Sequence, residues 1–561
     1  MKSKEWRAEN LRSNNQKNEN QKNKSQENKN QKSSVFWLFF SLFSSSSSSS
    51  FSSLFTLHFS LCLLSAVLLI FSHPPYDCWF LVWIALVPLL SVIDDRPFWS
   101  GFRWGYLTGV FYFFGMFWWI GHVTVFGMIL LNLYLALYFA MFAGGLYFFR
   151  RLPAAGRVVL AACLWVVCEW LRATLFSGFG WAALGHSQYR ILPIIQAANI
   201  TGVYGISFLI VMVNVVIAAS IRQKGCCQKQ LPVTVYFGVA LLVAAAAGYG
   251  FYTLKNMPKP LARISVAVVQ PNVAQEQKWD PYFRQEIMED LLVLSRQVAQ
   301  ENPDLMVWPE SVLPMHPFES PVYWEMARDF AREQQVSLLL GTVVKDKGRF
   351  HNAAVLLSSS GEEEGRYYKL HLVPFGEYIP LRPVLGFVAD AIVPIQDMAP
   401  GKQPVVFHLP LQGQKAVMSA VPFSTLICFE DTTDQVARRL VRAGAGFLVN
   451  ITNDGWFGQS KAALLHLEAA VFQAVANQRF LVRAANTGVS ALIGPEGKIL
   501  NVLKKGETER VGISGFFVDD VGVHLRQTRW TRSGNIFVYF CVACLLLGVM
   551  INYIHNKSAN I

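Results

Sequence analysis

Runs of about twenty apolar residues recur along this chain, and a sequence that keeps presenting them cannot fold as one water-soluble globule. Eight uncharged or nearly uncharged runs occur, at 54–72, 78–93, 104–121, 126–149, 158–176, 203–221, 233–251 and 534–554. Most approach the ~20 residues that a helix needs to cross the hydrocarbon core. They explain why 53% of the residues are hydrophobic and only 15% charged. From Leu261 to about Arg532 no such run appears. The pattern predicts an α-helical membrane domain of eight transmembrane helices, with a soluble domain inserted between helices 7 and 8. The expected organisation is a basic and Ser-rich cytoplasmic tail (1–53), helices 1–7 (54–255), a globular domain (262–530), helix 8 (534–554) and a short cytoplasmic tail (555–561).

Lys and Arg in short loops stay on the cytoplasmic side of a membrane. Residues 1–34 carry nine basic and four acidic side chains, which places the N-terminus inside. Arg150, Arg151 and Arg157 in one alternate loop, Arg222, Lys224 and Lys229 in another, and Lys557 after the last run agree with that orientation. Asp94, Asp95, Arg96 and Arg103 cancel one another. Together these inside segments equal the net charge of +12 of the whole chain, so the basic balance needs no nucleic-acid partner. Seven crossings then put the inserted domain on the outer face, and the eighth returns the C-terminus to the cytoplasm. Residues 1–34 are too polar to build a core and are expected to be disordered. A signal peptide competes at the N-terminus, because a basic region precedes VFWLFFSLF, but no clear small-residue cleavage site follows.

Cysteine usage narrows the chemistry. Cys62, Cys78, Cys163, Cys168, Cys541 and Cys544 lie in or beside apolar runs and read as small packing residues. Cys226 and Cys227 sit in a cytoplasmic loop, where disulfides do not persist. Four zinc ligands at a suitable spacing are absent from the sequence, so neither a metal nor another cofactor is expected. Cys428 is the one cysteine of the inserted domain. Without a partner there, it is either a buried apolar residue or a reactive thiol.

The inserted domain alternates β-rich and amphipathic segments. Strands are expected at 264–270, 304–310, 337–344, 353–359, 425–430, 446–452 and 490–495, several of them continuously apolar, as strands covered on both faces are. Helices are expected at 281–300, 320–335, 432–443 and 461–478, which makes this a layered α/β domain. Three strand ends carry chemistry: WPE with Glu310, YYKLHLVPFGEYIP with Lys369 and Glu377, and ICFE with Cys428 and Glu430. A nucleophilic thiol needs a base or a nearby cation. Glu310 can be the base and Lys369 the cation.

In this order and context, Glu310, Lys369 and Cys428 resemble the Glu-Lys-Cys triad of the nitrilase, or carbon-nitrogen hydrolase, superfamily. With seven spans before the domain and one after, the chain resembles the apolipoprotein N-acyltransferase family in particular. The likeness extends over nearly everything after the tail. It rests on EWLRATLFSGFGWAALGHSQ (169–188), VVQPNVAQEQKW ending at Trp279, VWPES, HNA with Asn352, KLHLVPFGEYIP, ICFED, NDGWFG (453–458) and RAANTGVSALIGPEG (483–497). The resemblance implies a nitrilase-like α-β-β-α sandwich. It also implies Glu310 as general base, Lys369 as cationic support of the oxyanion, Cys428 as nucleophile and Glu377 as a second essential carboxylate. Glu430, Trp279 and Asn352 match supporting positions. Phe429 stands where relatives often have Tyr, so the aromatic face is kept and the hydroxyl is not; the Phe429 backbone N–H is still an available oxyanion donor.

For such an enzyme the resemblance implies a phospholipid acyl donor of the phosphatidylethanolamine class, a diacylglyceryl-modified apolipoprotein as acceptor, and an acyl-thioester on Cys428 between the two half reactions. The expected location is the bacterial inner (cytoplasmic) membrane, with the catalytic domain on the periplasmic face and the chain acting as a monomer. The apolar segment PVLGFVADAIVPI (383–395), with Trp456 and Phe457, is expected either to form lipid-facing lids or to pack the domain core. Glu169 and Arg172 are expected to pair with each other or to meet lipid headgroups, while His122, His186 and His371 are assigned no special role. A membrane-anchored amidase would use the same triad without needing eight spans. A non-catalytic channel would want polar residues spread through several spans, and these are sparse.

Overall fold

The structure, a computed structural model, describes residues 49–223, 231–379, 397–411 and 418–558. The polar tail 1–34, the Cys226–Cys227 loop and the apolar segment 383–395 lie outside the described residues.

Among the described residues, six helices are long and apolar enough to cross a membrane. They lie in α1 (Ser49–Phe71), α3 (Val125–Gly145), α4 (Ala154–Thr174), α5 (Val203–Gln223), α6 (Val233–Lys255) and α11 (Ile536–Ser558). The two other predicted runs are helical but do not reach that standard. Residues 79–93 are broken into three short pieces, Trp79–Leu81, Val82–Ala85 and Val87–Ile93, the last with Pro88 in its first turn. The continuous helix α2 (Phe98–Phe117) carries Arg103 and several Trp, Tyr and Gly residues, which dilute its apolar character.

Helix α2 is nonetheless tightly built in. Gly101, Gly105 and Gly109 recur every fourth residue and form a stripe that lets the α3 backbone approach. A Cβ at these positions would come within 2.8 Å of Ala143 O, 2.5 Å of Phe139 O and 2.9 Å of the Ala136 Cα respectively. Small residues are how helices associate where lipid removes the hydrophobic driving force. Gly105→Val should therefore separate α2 from α3 and destabilise the membrane region by about 1–3 kcal/mol, read as a lowered thermal midpoint in detergent.

The inserted domain consists of two six-stranded mixed sheets. The first runs in the order β12-β1-β2-β3-β4-β5 and the second β11-β10-β9-β8-β7-β6. The strands are β1 (Arg263–Gln270), β2 (Leu305–Val307), β3 (Ser337–Asp346), β4 (Arg349–Leu357), β5 (Glu363–Tyr368), β6 (Phe407–Pro410), β7 (Ala420–Ile427), β8 (Phe447–Thr452), β9 (Leu481–Ala485), β10 (Ala491–Ile493), β11 (Ile499–Val502) and β12 (Gly515–Gly522). In each sheet three strands run parallel, β1-β2-β3 and β7-β8-β9. The strand β1 is apolar at five of the six positions from Ile264 to Val269 because both its faces are covered. Ala267 and Val269 pack with Met288, Leu291 and Phe330 of helices α7 (Arg284–Ala299) and α8 (Val322–Gln334), while Ile264, Val266 and Val268 join the other core, shared with the second sheet. Helices α9 (Asp434–Arg442) and α10 (Ala462–Asn477) add their apolar residues to that core.

The inserted domain is fastened to the membrane region by buried polar contacts. His73 Nδ1 lies 2.8 Å from Glu468 Oε1, Lys461 Nζ donates to Gly115 O at 2.8 Å, and Gln196 Nε2 donates to Glu496 O at 2.8 Å. Farther along, Ser177 Oγ and Tyr378 Oη share a hydrogen bond of 2.6 Å.

Candidate active site

Ligands of α/β sheets gather at the carboxyl ends of the strands, and the predicted residues converge there. Glu310 lies three residues after β2, Lys369 directly after β5 and Cys428 directly after β7. Asn352, in β4, bridges the two acids: its Nδ2 donates to Glu310 Oε1 at 2.8 Å and to Glu377 Oε1 at 2.7 Å. Lys369 Nζ is 2.9 Å from Glu377 and 3.8 Å from Glu310 Oε1, with only 1% of its side chain exposed. Backbone amides complete the acids, Asn453 N on Glu310 Oε2 at 2.9 Å and Val373 N on Glu377 Oε2 at 2.8 Å. Burial alone would push the Lys369 ammonium down, but Glu377 and Glu310 outweigh it and hold the pKa above its ordinary value.

Cys428 is close enough to both Glu310 and Lys369 for their charges to act on its sulfur. Burial first, then the Glu310 carboxylate, push the thiol pKa well up, and Lys369 offsets only part of this. The same burial favours the protonated thiol at rest. The apolar segment 425–430 predicts a strand through residue 430. The strand stops at Ile427 instead, and residues 428–432 form a 3-10 turn. Cys428 sits at φ +52°, left-handed backbone that costs a non-glycine residue on the order of 1–3 kcal/mol. Glu430, fully buried in that turn, locks it to β5: it accepts from Tyr367 Oη at 2.8 Å, Leu370 N at 2.7 Å, His371 N at 3.0 Å and Ile427 N at 2.8 Å.

A second buried network lies at the same turn. Asn450 Nδ2 and His466 Nε2 both meet the Cys428 carbonyl oxygen at 3.1 Å. His466 also lies 2.6 Å from Asp431 Oδ1 through Nε2 and 2.9 Å from Asp454 Oδ1 through Nδ1. Arg483 joins the same two acids, at 2.6 and 3.0 Å. Two carboxylates thus face two cations in a site closed to water. Burial and Arg483 push His466 down, but Asp431 and Asp454 overcome them and raise it to about 9. Because the folded state holds this proton above the unfolded value, the stabilisation is complete below about pH 6.5 and is lost as the pH rises through 9. That window should cost the native protein ~3 kcal/mol. Comparing thermal unfolding of wild type and His466→Gln across pH 6.5 to 9 isolates it, since the variant lacks this slope.

The remaining predicted residues sort as follows. Trp279 is 38% exposed and packs on the His316 ring at 4.9 Å, while its neighbour Lys278 is buried and donates to Glu310 O at 3.2 Å. Burial lowers Lys278 to about 8. The Phe429 ring lies nearly parallel to those of His371 (5.7 Å) and Trp181 (6.3 Å). Trp456 is exposed, but Phe457 packs edge-on against Trp119 at 4.6 Å, and His122 Nδ1 is 3.0 Å from its carbonyl oxygen. Phe457, half-buried, therefore packs against the rings of Trp119 and Trp181. Glu169 and Arg172 do not pair with each other. The chain folds back after Ser177, so Arg172 Nη1 reaches Trp181 O at 2.6 Å and Glu169 Oε1 accepts from Leu184 N at 2.8 Å. Sequence reasoning missed Lys278, Asn450, Asn453, His466 and Arg483 as site residues. A usable signal existed for two of them: Asn450 interrupts FLVNIT and Arg483 interrupts LVRAA, polar residues inside strands otherwise built of small or apolar ones.

Comparison with known proteins bears on the whole arrangement. Residues 65–216 match the family described as the apolipoprotein N-acyltransferase N-terminal domain, and residues 265–516 match the carbon-nitrogen hydrolase family. Apolipoprotein N-acyltransferase of Geobacter metallireducens is 38% identical over 86% of this chain and 93% of its own length. The proteins of that name from Nitrosomonas europaea and Chromobacterium violaceum are 31% and 30% identical, over 76% and 87% of this chain and 81% and 93% of theirs.

Proposed function

The chain belongs to the apolipoprotein N-acyltransferase family, enzymes of lipoprotein N-acylation, and from that premise we propose a ping-pong acyl transfer through a thioester on Cys428. The observation that carries this reading is the strained Cys428 turn lying within the electrostatic reach of the buried Glu310–Lys369 pair.

In the first half reaction the Cys428 sulfur attacks an ester carbonyl carbon of a phospholipid, of the phosphatidylethanolamine class and through its sn-1 chain. Glu310 accepts the thiol proton during attack, as a thiol with a raised pKa requires. Lys369 Nζ and the Phe429 N–H hold the oxyanion. The carbon–oxygen bond then breaks, Glu310 returns the proton to the departing lysophospholipid oxygen, and the acyl group stays on sulfur. In the second half the α-amino group of a diacylglyceryl-cysteine attacks the thioester, Glu310 takes its proton, the carbon–sulfur bond breaks to give the amide, and Glu310 returns the proton to the departing Cys428 sulfur. Glu377 orients Lys369, and Asn352 holds both acids in register. Phe429 needs no hydroxyl for this role, since its ring is stacked and its N–H is what faces the chemistry.

The same proposal includes the finer topology. The broken run 79–93 and α2 count as spans two and three of eight, which puts the catalytic domain on the periplasmic face of the bacterial inner membrane with Trp456 and Trp279 toward lipid. The chain acts as a monomer in this reading.

Incubating the detergent-purified protein with phosphatidylethanolamine should yield one acyl mass adduct on Cys428 and one equivalent of lysophospholipid. Adding a diacylglyceryl-cysteine peptide should clear the adduct and give N-acyl peptide. Ammonia release from small amides with no lipid adduct would instead identify an amidase.

A further inference from the structure

The carbonyl of Cys428 and the N–H of Phe429 are two ends of one peptide unit. In a 3-10 turn the first N–H groups have no partner within the turn, so the Phe429 N–H at the start of the 428–432 turn is free to serve an oxyanion. Its carbonyl end is held by the Asn450 amide and the His466 ring, each at 3.1 Å. Nδ1 meets Asp454 Oδ1 at 2.9 Å and Nε2 meets the Cys428 carbonyl oxygen at 3.1 Å, both of them acceptors, so both ring nitrogens are donors, which is an imidazolium; Asp431 Oδ1, 2.6 Å from Nε2, adds a second negative charge beside it.

We propose that His466 is a positioning residue for acyl transfer, an imidazolium that pins and polarises the Cys428–Phe429 peptide unit so that its N–H is aimed at, and strengthened toward, the oxyanion. The proposal rests on the thioester reading above.

Two arguments support it. A charged donor on an amide oxygen draws electron density from the nitrogen, so the N–H at the other end becomes a better donor, the cooperativity seen along chains of hydrogen bonds. In addition, Cys428 is in left-handed backbone at φ +52°, and a strained residue persists only when its surroundings over-determine it. The hydrogen bonds to the Cys428 carbonyl hold this peptide unit in place; rotating it would present the carbonyl, instead of the N–H, to the developing negative charge. A cluster serving only to fill space could do so with neutral groups, at less desolvation cost.

The test compares two reactions at one sulfur. Acylation by phosphatidylethanolamine passes through an oxyanion. Alkylation by iodoacetamide does not, since the sulfur displaces iodide at a saturated carbon, yet it needs the same thiol, the same base and an intact fold. In full-length His466→Gln, acylation of Cys428 in a single turnover should fall about 10-fold to 100-fold, while alkylation stays within about 3-fold of wild type. Unchanged acylation, or equal loss of both, would overturn the proposal.

Should that variant fail to show an unfolding transition, the wild-type protein decides. The ratio of acylation to alkylation should drop as the pH rises through 9, where His466, facing Asp431, Asp454 and Arg483, loses its proton. A ratio that stays flat, or one that drops near pH 8 with Lys278, would overturn it. Absence of any acyl adduct on wild-type Cys428 would overturn the thioester reading itself, and this proposal with it.

Discussion

Cys428→Ala should leave a folded protein with no detectable acyl transfer. Losing the sulfur removes the atom on which the acyl group is carried, so neither half reaction has a substitute route, and turnover should drop by at least about 10⁴-fold. Stability should change little. Alanine and cysteine pay a similar strain at φ +52°, and the lost sulfur leaves a void of only about one atom, worth roughly 1 kcal/mol. The thermal midpoint in detergent, together with intact mass after incubation with phospholipid, reads both effects. An alanine variant that still accumulates acylated protein would place the nucleophile elsewhere.

Lys369→Met should damage both catalysis and the fold. The ammonium lies 2.9 Å from Glu377 and 3.8 Å from Glu310. Without it, two buried carboxylates share only the Asn352 amide and two backbone N–H groups. Leaving a buried charge uncompensated costs about 3–5 kcal/mol. The variant should also lose about 10²-fold to 10³-fold in acylation for the missing oxyanion support. Single-turnover acylation at pH 7 beside a thermal melt tests this. Activity within tenfold of wild type at pH 7 would mean that Lys369 supports structure only.

Much of the domain was legible because its signals are local. The four predicted helices overlap α7, α8, α9 and α10 to within a few residues, since the first three present an apolar stripe between turns and α10 is apolar over most of its length. All seven predicted strands exist in some form, although 304–310 shortens to Leu305–Val307 and the Cys428 strand ends early. The missed strands β5, β6, β11 and β12 contain charged, proline-bearing or half-exposed residues, and their β character comes from pairing with a neighbour, which no local pattern records. The strand β9 was missed for another reason: Arg483 breaks an otherwise apolar segment, and its guanidinium is satisfied by Asp431, 52 residues away. The site divides along the same line. Glu310, Lys369, Cys428, Glu377 and Glu430 each stand at the end of a recognisable strand or turn. The His466 network is built from five separate elements and exists only in the tertiary fold. Helical spacing likewise suggested a Glu169–Arg172 pair, and a fold-back of the following chain gave each residue a different backbone partner.

The stacked Phe429 ring bears on how far the two halves of this protein can be taken apart. It packs nearly parallel to His371, from the inserted domain, and to Trp181, which lies between α4 and α5 of the membrane region. Beside it, Gly180 approaches the nucleophile turn so closely that a Cβ there would lie 2.2 Å from Thr432 O. A water-soluble truncation cut near residues 262 and 530 would thus expose one side of its own catalytic loop. Chimaeras that exchange membrane regions between relatives would have to carry the 177–184 segment along with the catalytic half to remain active.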